Sequence, residues 1–174
     1  MENEVLKAIK ERRSIRRFKK EQVSDAELNT VLEAGTWAPT GMGTQDPFIV
    51  AVQDKRQKAI LSGINAEIMG AKSDPFYGAP TQVYVFAPAG NPNNVKDGSL
   101  VLGSMMLAAH SIGLGSCWIN RVDKMVDYDE VKELMKSWHL PEGLMGVGSL
   151  ALGYPDGEPH AAKPRKDDYA RVIK

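Results

Sequence analysis

The segment SLVLGSMMLAAHSIGLG, residues 99–115, limits the fold more than any other stretch of this chain. It is the most apolar run, yet Ser104, His110 and Ser111 interrupt it, and it is shorter than the roughly 20 residues a membrane-spanning helix needs. It predicts a buried helix, and no contact with a membrane. Gly103, Ala108 and Ala109 would let another helix approach it closely. The 174 residues, 43% hydrophobic and 25% charged, are enough for one globular domain, 1–174, with a core able to receive that helix.

Short elements precede and follow it. Val5, Leu6 and Ile9 share one face of a first helix. SDAELNTVLEAG predicts a second, with Ser24 as N-cap, Glu27 completing a capping box, and Leu28, Val31 and Leu32 at helical spacing until Gly35 ends it. PFIVAVQ (47–53) and TQVYVFAP (81–88) read as buried strands, with a helix over 54–68 between them. GSCWIN (115–120) reads as a strand, DYDEVKELMKSW (127–138) as a helix and GVGSLALGYP (146–155) as a last strand before a polar, proline-bearing tail. Helices and strands mix along the chain without repeats or long linkers, which predicts a single domain built of both.

Charge narrows the function. Twenty-two basic residues balance 22 acidic ones, which argues against a general nucleic-acid binder. The lone Cys117 permits no internal disulfide and no apolar leader follows the start, so the expected compartment is reducing cytoplasm. Three scattered histidines and no Cys-x-x-Cys or His-Glu-x-x-His give no metal site. No Walker loop occurs, and GLGSCW follows a helix rather than a strand, so a Rossmann reading fails.

KERRSIRRFKKE (10–21) is the exception to the balance, with seven basic residues in its first eleven positions. Alone, it suits a solvated helix end, a nucleic-acid or membrane patch, or a site for one phosphate, whose oxygens Arg12, Arg13 and Arg16 could grip by forked guanidinium groups beside the Ser14 hydroxyl. Lys163, Arg165 and Lys166 form a second basic cluster that could converge on the same dianion. GTWAPTGMGTQDPF (35–48), rich in Gly and Thr, lies between a capped helix and a strand, where functional loops commonly sit.

RRSIRRF, APTGMGTQ, GLGSCWI, LALGYPDG and KPRK, in this order and spacing, resemble the flavin-dependent nitroreductase family across essentially the whole chain. The resemblance implies an α+β fold: a three-layer sandwich whose central, mainly antiparallel sheet is flanked by helices. It implies an intertwined homodimer with one FMN in each of two interface sites, the tail (about 155–174) contacting the partner subunit. Arg12, Arg13, Ser14 and Arg16, helped by Lys163 and Arg165, would hold the FMN phosphate and the ribityl or pyrimidine oxygens. Pro39, Thr40, Gly41 and Met42 would line the isoalloxazine of the partner's site, joined by Gln45 and Asn65, while Trp118, Ile119 and Asn120 would pass along the flavin edge near N5. Arg17, Lys19 and Lys20 match no binding position.

The implied activity is ping-pong hydride transfer from NADH or NADPH through flavin N5 to a small-molecule acceptor such as a nitroaromatic or quinone, with no acid–base residue required. The same fold also serves flavin reductases, reductive dehalogenases and flavin-cleaving enzymes, and a non-enzymatic nucleotide-binding module is the distant alternative. The sequence departs from the family at Gly43-Thr44-Gln45-Asp46-Pro47-Phe48, where many relatives carry Asn-x-Gln-Pro-Trp. It also lacks an inserted helical excursion, so no substrate specificity is implied.

Overall fold

The computed structural model describes residues 2–174. The elements, in order, are α1 (Glu4–Glu11), α2 (Asp25–Thr36), β1 (Phe48–Val52), α3 (Lys55–Met69), β2 (Thr81–Pro88), α4 (Asn94–Ser111), β3 (Gly115–Ile119), α5 (Val122–Met125), α6 (Asp129–Ser137) and β4 (Leu144–Gly153). The four strands form one antiparallel sheet in the order β1-β2-β4-β3. Side chains alternate along each strand, so β2 sends Val83 and Val85 to one face and Tyr84 and Phe86 to the other. α2 and α4 cover the first face through Leu28, Val31, Val101, Leu102 and Met105. α3, α5 and α6 cover the second through Leu61, Ile64, Met125 and Val131. The result is the expected three-layer α+β sandwich.

α2 begins at the capping box its sequence announces: the Glu27 amide donates to Ser24 Oγ, and the Ser24 amide donates back to the Glu27 carboxylate. Gly35 does not stop this helix, which runs on to Thr36. Its role is space, because a Cβ there would sit 2.8 Å from Ile49 Cδ1 and 2.9 Å from Met105 Cγ. β4 carries a bulge: Val85 pairs with Gly148 and Phe86 with Gly146, leaving Val147 unpaired and aimed at Gly98 of α4.

The Glu27 carboxylate also accepts from Tyr154 Oη, tying α2 to the chain beyond β4. Hydrogen bonds from Ser24 first, then Tyr154, hold the Glu27 carboxyl below its ordinary value. This clamp is therefore complete above the unfolded carboxylate range, about pH 4–5, and is lost as pH falls through the lower folded value. Wild type is expected to melt above Glu27→Gln at pH 7, with the gap closing on acidification; a gap that persists or widens in acid would contradict the assignment.

α4 is buried on one side only. Val101, Leu102, Met105 and Ala109 enter the core, whereas Leu100 is 48% exposed and a Cβ on Gly103 would meet nothing within 4 Å. Apolarity read along the sequence does not reveal that the other side of this helix is left without cover by its own chain.

Candidate functional site

The basic stretch leaves α1 extended and runs beside β3. Ser14 bridges Ser116 in parallel, the Ile15 amide donates to the Ser116 carbonyl (3.0 Å), and the Lys19 amide donates to the Tyr154 carbonyl (2.9 Å). Extended backbone sends alternate side chains to opposite sides. Arg12, Ser14 and Arg16 accordingly gather at Cys117: burial pushes that thiol up, while Arg16, the Ser14 hydroxyl and Arg12 pull it back. Ile15 points the other way and packs on Gly115, where a Cβ would lie 2.8 Å from Ile15 Cγ1. Arg13 is engaged elsewhere, its Nη1 donating to the carbonyls of Lys10 (2.7 Å) and Arg12 (2.8 Å) at the end of α1. Arg12 Nη1 is buried with no hydrogen-bond partner among the described residues. A buried cationic donor without an acceptor is costly, and an incoming anion would satisfy it.

β3 ends in a tightly held turn. Trp118 Nε1 donates to Asn120 Oδ1 (2.7 Å), fixing an indole that is only half-buried. Ile119 points into the core, and its carbonyl accepts from Ser149 Oγ (3.1 Å). Asn65, fully buried on α3, donates to the Asn120 carbonyl (2.9 Å) and accepts from Arg121 Nε (2.9 Å). Its amide is thus occupied in shaping the turn, at whose centre Arg121 adopts φ 80°. Spacing alone could not have found Arg121, since its partner lies 56 positions away.

The loop after α2 lies elsewhere. Pro39 and Thr40 lead into a short 3-10 turn, Gly41–Gly43. Thr40 Oγ1 accepts from the Gln45 amide (3.0 Å); Met42 stands 95% exposed at φ 55°, and Trp37, where α2 ends, is 81% exposed. Asp97 in the first turn of α4, with Asn91 and Asn93 just ahead of that helix, packs against this loop. Asp97 Oδ1 accepts from the Gly41 amide (3.0 Å), Asn91 Nδ2 donates to Asp46 (2.8 Å), and Asn93 lies so close that a Cβ on Gly41 would overlap its amide. Sequence reasoning missed Asp97; the signal available was a carboxylate just ahead of the chain's most apolar run.

The two clusters sit at opposite ends of α4. The loop is fastened at Asp97, while Arg12 and Arg13 share a cavity of about 220 Å³ with His110, roughly 20 Å along the helix at about 1.5 Å of rise per residue. They also flank opposite edges of the sheet, β1 and β3. Within one chain they do not meet. The tail holds Lys163 and Arg165 exposed, and beyond Asp156 no hydrogen bond or ion pair ties its described residues to the body. Among the described residues no helix is long and apolar enough to cross a membrane, and no group of three or more His, Cys, Asp or Glu could hold a metal ion.

Comparison with known proteins follows the same lines. A model of the Nitroreductase family matches residues 9–154. The crystal structure of a nitroreductase with bound FMN from Bacteroides fragilis is similar at a TM-score of 0.91 and 32% identity, covering 99% of this chain and 100% of that one. The NAD(P)H FMN reductase of Bacillus subtilis is 26% identical over 94% of this chain and 70% of its own length. The iodotyrosine deiodinase of Thermotoga neapolitana is 27% identical over 93% of this chain and 94% of its own.

Proposed function

The chain belongs to the nitroreductase family of oxidoreductases, and on that premise we propose that it is an FMN-dependent NAD(P)H oxidoreductase that reduces nitroaromatic or quinone-type acceptors. One observation carries the reading: the partnerless, buried Nη1 of Arg12 beside the Ser14 hydroxyl and Arg16. Forked cationic donors and a hydroxyl converging from one side of an extended strand suit the terminal monophosphate of FMN. Arg13, spent on α1 carbonyls, serves by fixing the direction in which the arm leaves the helix.

The chemistry FMN supplies when bound is hydride transfer between NAD(P)H and an electron acceptor. The protein's part is position and electrostatics. Arg12, Ser14 and Arg16 hold the phosphate and the polar edge, with Lys163 and Arg165 joining from the tail. Trp118 and Asn120, locked to each other and backed by Asn65, keep a rigid border along the ring edge and exclude water there. Ile119 contributes through its backbone, since its side chain belongs to the core.

The site needs two copies of the chain. Pairing the open faces of two α4 helices antiparallel about a two-fold axis brings the Asp97 end of one beside the His110 end of the other. Pro39 to Met42, with Gln45, then cover the ring held by the partner's Arg12 to Arg16, and the tail, about 155–174, reaches across the same interface. Trp37 and Met42, exposed in one chain, are covered in this arrangement.

Reductive dehalogenation is the second reading, favoured by the likeness to iodotyrosine deiodinase along nearly its full length. The test is chromatography of the cofactor released from purified protein, followed by steady-state assays with nitroaromatics, quinones, free flavin and halotyrosines. FMN at one per chain is expected, with turnover fastest on the first two. Recovery of FAD alone, or of no flavin after incubation with excess FMN, overturns the assignment.

A further inference from the structure

Asp97 is the one carboxylate among the buried residues described, and only one of its oxygens is used. Oδ1 accepts from the Gly41 amide, while Oδ2 is buried without a partner. Burying a carboxylate is costly, and a core position that only needed polarity would be served by Asn or Ser. The site softens this cost: Asp97 lies in the first turn of α4, whose free N–H groups and dipole favour an anion. The Asp97 side chain makes no hydrogen bond within α4 itself. Its one bond leaves the helix for the loop.

We propose that Asp97 is a positioning residue that presets the Gly41–Gln45 loop for the flavin. This rests on the reading that the loop covers the ring held by the partner subunit. A charge-assisted bond to the Gly41 amide is stronger and more directional than a neutral one. It fixes the entry of a turn whose next residues, Met42, Gly43 and Gln45, all take positive φ (55°, 68° and 54°) and would otherwise relax. Two neighbours complete the anchor. The Asn93 side chain packs against Gly41, where a Cβ would displace its amide, and Asn91 secures the far end of the loop through Asp46. The same helix whose other end faces the basic arm thus sets the height of the loop over its partner's site.

Amide exchange followed by NMR, with FMN titration, on wild type, Asp97→Asn and Asp97→Leu tests this. Asn keeps an acceptor for Gly41 and Leu does not. In Asp97→Leu the Gly41 and Gln45 amides should exchange about tenfold or more faster, with Val83–Ala87 of β2 unchanged, and FMN should bind about tenfold more weakly. Asp97→Asn, whose bond to Gly41 is neutral, should recover only part of both. Should Asp97→Leu fail to fold, Asp97→Ser, too short to reach Gly41, takes its place with the same expectation. Unchanged exchange at Gly41, a freed loop with unchanged FMN affinity, or uniform acceleration through β2 overturns the proposal. If wild type binds no FMN, the functional reading falls, and the exchange comparison still decides whether Asp97 holds the loop.

Discussion

Replacing Arg12 by alanine is expected to weaken FMN binding by roughly tenfold to a hundredfold, the value of one charge-assisted hydrogen bond of about 1.5 to 3 kcal/mol. Arg12 is singled out because its Nη1 is already desolvated and unpaired, so the cost of burial is borne by the folded protein and returned only when an anion arrives. Arg17→Ala and Lys20→Ala should change affinity little. Arg17 is mostly exposed and pairs with Asp156 across 3.5 Å, and Lys20 is exposed. Arg12→Lys should recover only part of the loss, because an ammonium cannot grip two phosphate oxygens as a fork does. Arg13→Ala should act differently, loosening the end of α1 and lowering stability more than affinity. Arg165→Ala belongs with Arg12→Ala if the tail reaches the phosphate. Fluorescence titration of the apoprotein with FMN reads all of these, and equal losses at Arg12, Arg17 and Lys20 would show a diffuse basic patch rather than a phosphate site.

What was legible in the sequence was what local chemistry decides. The β-rich run TQVYVFAP, bounded by turn residues, gives β2 at both its ends, and the capping box gives the start of α2. The end of α2 was misread because Gly35 looks like a stop signal, while its reason for being glycine is Ile49 and Met105, which meet it only after the sheet has formed. The short α5 was missed because its four residues carry no period; it is held by Val122 and Met125 in the core. In the basic stretch, composition could not separate Arg12 from Arg13. Hydrogen bonding does so: Arg13 Nη1 is spent on the carbonyls of Lys10 and Arg12, while Arg12 Nη1 is left without a partner. Asn65 was anticipated at the site, and its amide is taken by the Asn120 carbonyl, Met125 Sδ and Arg121. Long-range partners of this kind leave no trace in spacing.

Gly103→Trp is expected to give a folded monomer that has lost its flavin, and this result separates an interface from a core. Ala109, one of three small residues on α4 that could admit another helix, is taken up by the chain's own core. Gly103 is not: it shares the open face with Leu100, Ser104 and Leu107, and a Cβ there would meet nothing beyond its own helix backbone within 4 Å. A glycine inside a helix costs about 1 kcal/mol against alanine, and no contact within the chain explains that cost at 103. Close approach of a second α4 does, since helix backbones can meet at about 8 Å only where side chains are small. Were the chain a monomer, filling position 103 would be harmless and Gly103→Ala would raise stability by about 0.5 to 1 kcal/mol. In the dimer, tryptophan there forces the two helices apart, removing Pro39 to Met42 from the ring they cover and leaving the phosphate grip alone to retain the cofactor. Light scattering coupled to flavin absorbance reads mass and occupancy together. Half the wild-type mass with little bound FMN is the expected outcome, whereas a wild-type monomer carrying one FMN per chain would show that the loop and the basic arm do not complete each other's sites across a dimer.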